Sequence, residues 1–391
     1  MKDELNRCLA CPRPQCTGCP AGTDVARAIK LVKTGNIDEA GRILFDNNPL
    51  SAITSLICPS HLFCKKSCVL DKVGRGVNFA KIEAQVSAHY ITHLLNSAGF
   101  ASGTGGTEAK SRTVQATDSS PISPDLQVPQ TSRVLPIPDA NPAAQSHLVI
   151  GGGPAGMAFA ILARRMGHNV TLFERQEKLG GMLRYGIPDN RLDKTLIDKL
   201  ETYIKHIGIN IVNRMPPTGD FNHVVVATGA RRSRKLGIPG EEYAIGGIEF
   251  LDSANKGRAA VPETVTIIGG GNVAVDCAIA AATLGARVTV RYRRGPENLR
   301  AYPREIQHAR ELGVVFEFHH TPTEIRDDGT LTIIAIGQEK TPLEIEGAHY
   351  IGDCKNGPGT VIEAVKSAKD LLAYLTHSQP GVTPLQAIDR S

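Results

Sequence analysis

The sequence predicts an α+β multidomain chain: an all-α amino-terminal unit followed by two doubly wound α/β folds. Three observations predict it. Seven of the nine cysteines crowd between Cys8 and Cys68, among helical patterns. A strand–glycine-turn–helix–strand pattern begins at His147, and the same pattern recurs at Val265. Length and composition agree. The 391 residues allow two or three domains, and 41 % apolar residues with 39 glycines suit a globular α/β protein rather than a disordered or fibrous one. Aromatic residues make up 5 %, Trp is absent, and the net charge of +5 is spread along the chain. A dedicated nucleic-acid binder would instead show a basic face interleaved with stacking rings. No apolar run reaches the ~20 residues of a membrane span, because Val265–Leu284 is broken by three glycines and Asp276. The charged start, Met1-Lys2-Asp3-Glu4, has no apolar signal core, so the expected compartment is the cytoplasm.

The cysteines are spaced Cys8-x2-Cys11-x4-Cys16-x2-Cys19-Pro20 and Cys58-Pro59-x4-Cys64-x3-Cys68. Without an export signal, this pattern favours soft-metal ligation over disulfides. Iron–sulfur and zinc centres both use such spacing, and two groups separated by helices favour two clusters shared between them. Seven thiolates leave one of two four-ligand sites a ligand short. Between the groups, Asp24 predicts an N-cap for a helix over Val25–Lys33, and Gly35-Asn36 a stop. A second helix is expected over Ile37–Phe45. A third is expected from about Asn78 to Leu95, with Ile82, Val86, Tyr90 and Leu94 on one face. Residues 97–146, rich in Gly, Ser, Thr and Pro, read as a flexible linker.

After the strand His147–Ile150 comes Gly151-Gly152-Gly153-Pro154-Ala155-Gly156, then a helix and the strand Asn169–Phe173 ending at Glu174. In this context Gly151 makes the turn, Gly153 admits a pyrophosphate to the helix N-terminus, and Gly156 lets helix and strand approach. Glu174, 23 residues after Gly151, is placed for ribose hydroxyls. The second copy reads Gly269-Gly270-Gly271-Asn272-Val273-Ala274. Its strand ends among Arg291, Tyr292, Arg293 and Arg294 rather than at an acid. Guanidinium groups there suit a 2′-phosphate, which an acid would repel. These features imply a Rossmann-like pair binding FAD first and NADPH second. The small residues ending Val224–Gly229, Thr228 and Gly229 among them, suit close cofactor approach. Gly352 and Asp353 precede a helix from about Thr360. Asp353 is a candidate for a ribitol hydroxyl, and the helix N-terminus for the flavin's pyrimidine edge.

These motifs, together with Asn48-Pro49-Leu50, the Gly180–Pro188 segment GGMLRYGIP (with Gly181 and Met182) and the run Tyr292–Glu305, resemble a known family. It comprises the glutamate synthase small subunit, the amino-terminal half of dihydropyrimidine dehydrogenase, and that enzyme's separate bacterial electron-input subunit. The resemblance implies a helical double [4Fe-4S] domain over 1–96, an FAD domain over 147–240 and 331–391, and an NADPH domain over 241–330. It implies one cluster on Cys8, Cys11, Cys16 and Cys68, and a second on Cys19, Cys58, Cys64 and Glu83. Arg293, Arg294 and Arg300 match the NADPH positions. It also implies that 208–224 and 318–333 are shorter than in relatives, with strands of both nucleotide domains trimmed. The expected activity is electron transfer from NADPH through FAD and two clusters to a catalytic partner subunit or ferredoxin-like carrier in a hetero-oligomer. No acid–base side chain is required for hydride transfer between cofactors. A ferredoxin:NADP transhydrogenase subunit running in reverse and a non-catalytic cluster-bearing scaffold are the alternatives. A disulfide reductase is disfavoured, because Cys277 and Cys354 are isolated and Lys178–Gly186 holds no cysteine.

Overall fold

The computed structural model describes residues 1–99, 144–213, 217–340, 343–377 and 383–385; most of the expected linker lies outside the described residues. The amino-terminal unit is built from α1 (Lys2–Arg7), α2 (Val25–Lys33), α3 (Ile37–Asn47), α4 (Ser51–Ile57) and α5 (Phe79–Ser97). Asp24 caps α2 by accepting from the Arg27 N–H at 3.0 Å, and Gly35 ends the following turn at φ +81°. Val25, Ile29 and Val32 of α2 pack on Ile37, Leu44, Ile82 and Val86. Helices α3 and α5 cross closely at Gly41, where a Cβ would lie 2.5 Å from Tyr90 Cβ.

The first nucleotide fold alternates β1 (Ser146–Ile150), α6 (Pro154–Arg165), β2 (Asn169–Glu174), α7 (Met182–Tyr185), α8 (Thr195–His206), β3 (Asn210–Asn213), β4 (Gly219–Phe221) and β5 (His223–Val226). A connecting strand, β6 (Arg232–Ser233), leads out. The second fold comprises β7 (Ala244–Gly246), α9 (Gly247–Asn255), β8 (Thr264–Ile268), α10 (Asn272–Thr283), β9 (Arg287–Tyr292), α11 (Pro303–Glu311), β10 (Val315–Phe318) and β11 (Leu331–Ile334). The chain returns through β12 (Gln338–Glu339), β13 (His349–Tyr350), α12 (Asp353–Asn356), α13 (Val361–His377) and β14 (Thr383–Leu385).

Each nucleotide fold holds a five-stranded sheet, in the orders β13-β5-β1-β2-β3 and β10-β9-β8-β11-β7, with parallel pairing throughout. Both folds thus hold a parallel sheet alongside the stretches 208–224 and 318–333, where trimming is expected. One boundary moves. Leu331–Ile334, expected at the start of the returning FAD segment, pairs with β8 and β7 inside the second sheet. The crossover lies instead at the antiparallel pair β6–β12, supported by the Arg234 N–H donating to the Gly337 carbonyl at 3.0 Å.

Phe45, Leu50, Ile53, Tyr90 and Leu94 of the helical unit share one apolar core with Phe159, Leu172, Tyr203 and Leu372 of the first fold. Helix α6 is buried nearly all round because α13 lies along it. The second fold has a separate core around Leu251, Ile267, Val275, Val290 and Ile333. Among the described residues no helix is long and apolar enough to cross a membrane.

Candidate cofactor and metal sites

All nine cysteines are free thiols. Cys8, Cys11, Cys16 and Cys68 line a cavity of about 560 Å³, which Cys64 also borders, with Leu9, Lys30 and Val69 at its wall. The Cys8–Cys11 loop bends through Ala10 at φ +50°, and Lys33 Nζ holds the Cys8 carbonyl at 2.8 Å. Burial pushes the Cys16 thiol up against an opposing hydrogen bond from its own amide, and Cys68, Cys8 and Cys11 add to the rise. A second group forms around Cys19, Cys58, Cys64 and Glu83. Burial pushes the Cys58 and Cys64 thiols up to about 12, with Glu83 and Cys19 each contributing to both. Burial alone pushes the Glu83 carboxyl up to about 8. Thus the seven thiols and one carboxyl fall into two neighbourhoods. In each, several thiols stand together at the spacing of one site, which is the donor chemistry an iron–sulfur core suits. Among the described residues no three His, Cys, Asp or Glu are arranged to hold a single metal ion.

The second neighbourhood abuts the first nucleotide fold. Glu363, at the start of α13, contributes to the Cys58 shift. Lys369 on the same helix donates to the Ala21 carbonyl at 2.6 Å and to Asn47 Oδ1, and feels the Cys19 thiol.

In the first glycine turn Gly151 takes φ +113°, where a Cβ would meet the Ala227 carbonyl oxygen at 2.5 Å. Gly153 caps α6, Pro154 begins it, and Ala155 is buried behind them. A Cβ at Gly153 would meet the Gly181 Cα at 3.9 Å and one at Gly181 would meet the Gly153 Cα at 2.8 Å, so the two glycine backbones pack closely into a floor free of side chains. Met182 starts the short α7 just beyond Gly181. Glu174 is buried at the end of β2 and accepts from the N–H groups of Gly152 at 2.8 Å and Gln176 at 2.7 Å. The Thr228 hydroxyl is buried without a partner among the described residues, beside Gly229, where a Cβ would meet open space. This orphaned hydroxyl and the glycine floor fit a bound dinucleotide.

Gly352, at φ +69°, abuts Ala155 and leads into Asp353, whose carboxyl burial pushes up to about 6. At the start of α13, Glu363 accepts from both the N–H and hydroxyl of Thr360 at 2.7 Å in a capping box, and Asp353 of α12 accepts from the Gly359 N–H at 3.2 Å.

In the second turn Gly269 takes φ +151°, Tyr292 covers Gly270, and Gly271 caps α10 with open space above it. Asn272 begins α10 and its Oδ1 accepts from the Tyr302 N–H at 3.0 Å. Val273 is half-buried, and Ala274 is buried in the position that corresponds to Gly156. Arg293, Arg294 and Arg300 are exposed, and among the described residues none of their side chains has a recorded partner. Arg300 is brought to the turn by its N–H donating to the Gly270 carbonyl at 2.9 Å. Arg291 differs, being paired with Glu317 at 2.9 Å. Sequence reasoning passed over Tyr302 and Asp276, although Tyr302 lies inside the quoted run Tyr292–Glu305.

Two nucleotide folds with open glycine turns, joined to a helical unit carrying clustered thiols, define an NAD(P)H-dependent flavin and iron–sulfur oxidoreductase. Residues 145–351 match the pyridine nucleotide-disulphide oxidoreductase family, and residues 1–94 match the 4Fe-4S domain II of dihydropyrimidine dehydrogenase. The chain belongs to the pyridine nucleotide-disulphide oxidoreductase family. It is 27 % identical over 370 residues to the small chain of NADPH glutamate synthase of Escherichia coli strain K12, covering 88 % of this chain and 70 % of that one. It is 26 % identical over 425 residues to the NAD-dependent dihydropyrimidine dehydrogenase subunit PreT of Salmonella typhimurium, covering 96 % and 93 %. It is 28 % identical over 383 residues to the NADPH-Fe(3+) oxidoreductase subunit beta of Geobacter sulfurreducens, covering 90 % of this chain and 50 % of that one. It thus spans about half the length of some of the curated relatives it matches. The fold also resembles 2-naphthoyl-CoA reductase, at TM-score 0.51 and 24 % identity over 59 % of this chain and 40 % of that one.

Proposed function

We propose that this chain is the electron-input subunit of a larger assembly, taking hydride from NADPH and passing electrons on to a partner through two [4Fe-4S] clusters. Bound FAD and clusters supply the conversion of a two-electron donor into one-electron transfers. The residues' part is to hold and space these groups. Gly151, Gly153 and Gly156 seat one pyrophosphate on α6, and Gly269 and Gly271 seat the other on α10. Glu174, fixed by two backbone N–H groups, orients the first ribose. Arg293, Arg294 and Arg300 supply unengaged guanidinium groups for a 2′-phosphate. Cys8, Cys11, Cys16 and Cys68 hold the outer cluster, and Cys19, Cys58, Cys64 and Glu83 the inner one.

The observation that carries this reading is the contact between the Cys19/Cys58 neighbourhood and α13, at Lys369 and Glu363. It sets one thiol group beside the flavin-side fold. That relatives are named as chains or subunits of glutamate synthase, dihydropyrimidine dehydrogenase and an iron oxidoreductase supports a hetero-oligomer with a catalytic partner. The test is anaerobic purification with iron, zinc and flavin assays. About eight irons and one FAD per chain are expected; zinc in place of iron overturns the reading.

A further inference from the structure

Arg191, Asp276 and Glu305 meet, shielded from water, between the two nucleotide folds. Arg191 follows the Gly180–Pro188 segment of the first fold, whereas Asp276 lies on α10 and Glu305 on α11 of the second. Arg191 Nη1 donates to both Asp276 carboxylate oxygens, at 2.6 and 2.5 Å, and its Nε lies 3.7 Å from Glu305 Oε1. The three side chains are 9, 5 and 13 % exposed. The Arg191 guanidinium also sits over the Tyr302 ring, 5.6 Å from its centroid. Tyr302 in turn meets His61 of the Cys58–Cys64 loop edge-on, with centroids 6.3 Å apart.

Such buried ion groups add little net stability, because desolvation offsets the attraction; their value lies in favouring one arrangement. That function has a clear object here. The helical unit and first fold share an apolar core, but the second fold has its own. The connectors to it pair with each other through β6 and β12. Its further contacts include Asn255 Nδ2 donating to the Tyr185 carbonyl at 3.0 Å and Lys256 Nζ, which reaches Gln176 Oε1 at 3.3 Å and lies 4.9 Å from the Tyr185 ring centroid. Asp276 stands four residues beyond Asn272 on α10, so moving Asp276 moves the second glycine turn with it.

We propose that Arg191, Asp276 and Glu305 form an interdomain clasp that holds the second nucleotide fold in one orientation against the first, with Tyr302 extending that register to the cysteine loop at His61. The proposal rests on the electron-input reading only for its consequence: orientation sets how one nucleotide meets the other. Arg191 and Asp276 are positioning residues in this scheme.

The test uses the FAD- and iron-loaded protein with Asp276→Asn. A second variant, Arg191→Met with Asp276→Leu, leaves no orphaned charge on either residue should the first fail to fold. Native-state trypsin cleavage at Arg231, Arg232, Arg234 and Lys235 in the connector is expected to speed up about tenfold as the clasp opens. Single-turnover flavin reduction by NADPH is expected to slow about tenfold, with nucleotide Kd within about twofold of the parent. Parent-like cleavage and reduction rates in whichever variant folds overturn the clasp. Cleavage requires neither NADPH nor electron flow, so it reads the clasp separately from the iron and flavin assays that test the electron-input reading.

Discussion

Gly156 lies so close to Gly151 that a Cβ on Gly156 would sit 1.9 Å from the Gly151 carbonyl oxygen. The first strand and α6 thus touch backbone to backbone, which sets the height of the helix N-terminus above the turn. Gly156→Ala must lift the helix. It is expected to lose about 1–3 kcal/mol of stability, as overpacking does, and to purify with less FAD. A thermal melt and the flavin-to-protein ratio check this; parent-like values for both would show that the contact relaxes freely. The second turn already accommodates Ala274 at the corresponding position, so Ala274→Gly is expected to cost only about 1 kcal/mol.

Arg293 and Arg294 are expected to discriminate between nicotinamide nucleotides. Each charge-assisted contact to a 2′-phosphate contributes about 1.5–3 kcal/mol. Replacing both by Ala should weaken NADPH by roughly a hundredfold or more while leaving NADH nearly unchanged. Flavin reduction measured against both nucleotides checks this, and an equal loss on both would remove the 2′-phosphate assignment.

Glu83→Ala or Cys64→Ser should lower the iron content from about eight to about four per chain, with one cluster's EPR signal lost and NADPH still reducing the flavin. Cys277→Ser is the control. Its buried sulfur donates to the Gly247 carbonyl at 3.4 Å, far in sequence from the clustered thiols, and the iron content should stay at the parent value. Unchanged iron in the Glu83 variant would place the eighth ligand elsewhere.

A nest of imidazoles where strands β1, β5 and β13 of the first sheet begin is expected to make stability depend on pH. His147 packs 5.0 Å from His168 and 5.2 Å from His223, and His223 lies 5.5 Å from His349, all between ring centroids. Both His147 ring nitrogens are buried without partners among the described residues. Burial first, then the neighbouring histidines, push its pKa down to about 3. A depressed folded-state value means that its contribution is intact above about 6.5 and is lost as pH falls toward 3. About 2 kcal/mol of that loss should fall between pH 6.5 and 5. Thermal melts across this range should show a shallower slope for His147→Phe; an unchanged slope would shift the burden to the other three rings.

Local signals carried most of the fold. Asp24 and Gly35 bounded α2 because caps act within a few residues, and the two glycine turns announced both nucleotide folds. Ile82, Val86, Tyr90 and Leu94 are all buried, as their spacing required. Other features depended on partners distant in the chain. Leu331–Ile334 is a short apolar run that fits either sheet by pattern, and only its pairing with β7 and β8 assigns it to the second. Helix α4 follows a proline and is too short to show a period. The capping of α13 by Glu363 had a readable signal in the Thr360-x-x-Glu363 spacing. The meeting of Arg191 with Asp276 across 85 positions left no trace in local sequence.

The apolar interior common to the helical unit and the first sheet has a mechanical consequence. The gap between the Cys58 loop and the Gly352 turn is settled when the chain folds and can change only if that interior opens. On the proposed electron-input reading, outward electron transfer would run at a built-in distance, whereas the second fold, with an interior of its own, would keep its alignment through the buried contacts of Arg191 with Asp276 and Glu305.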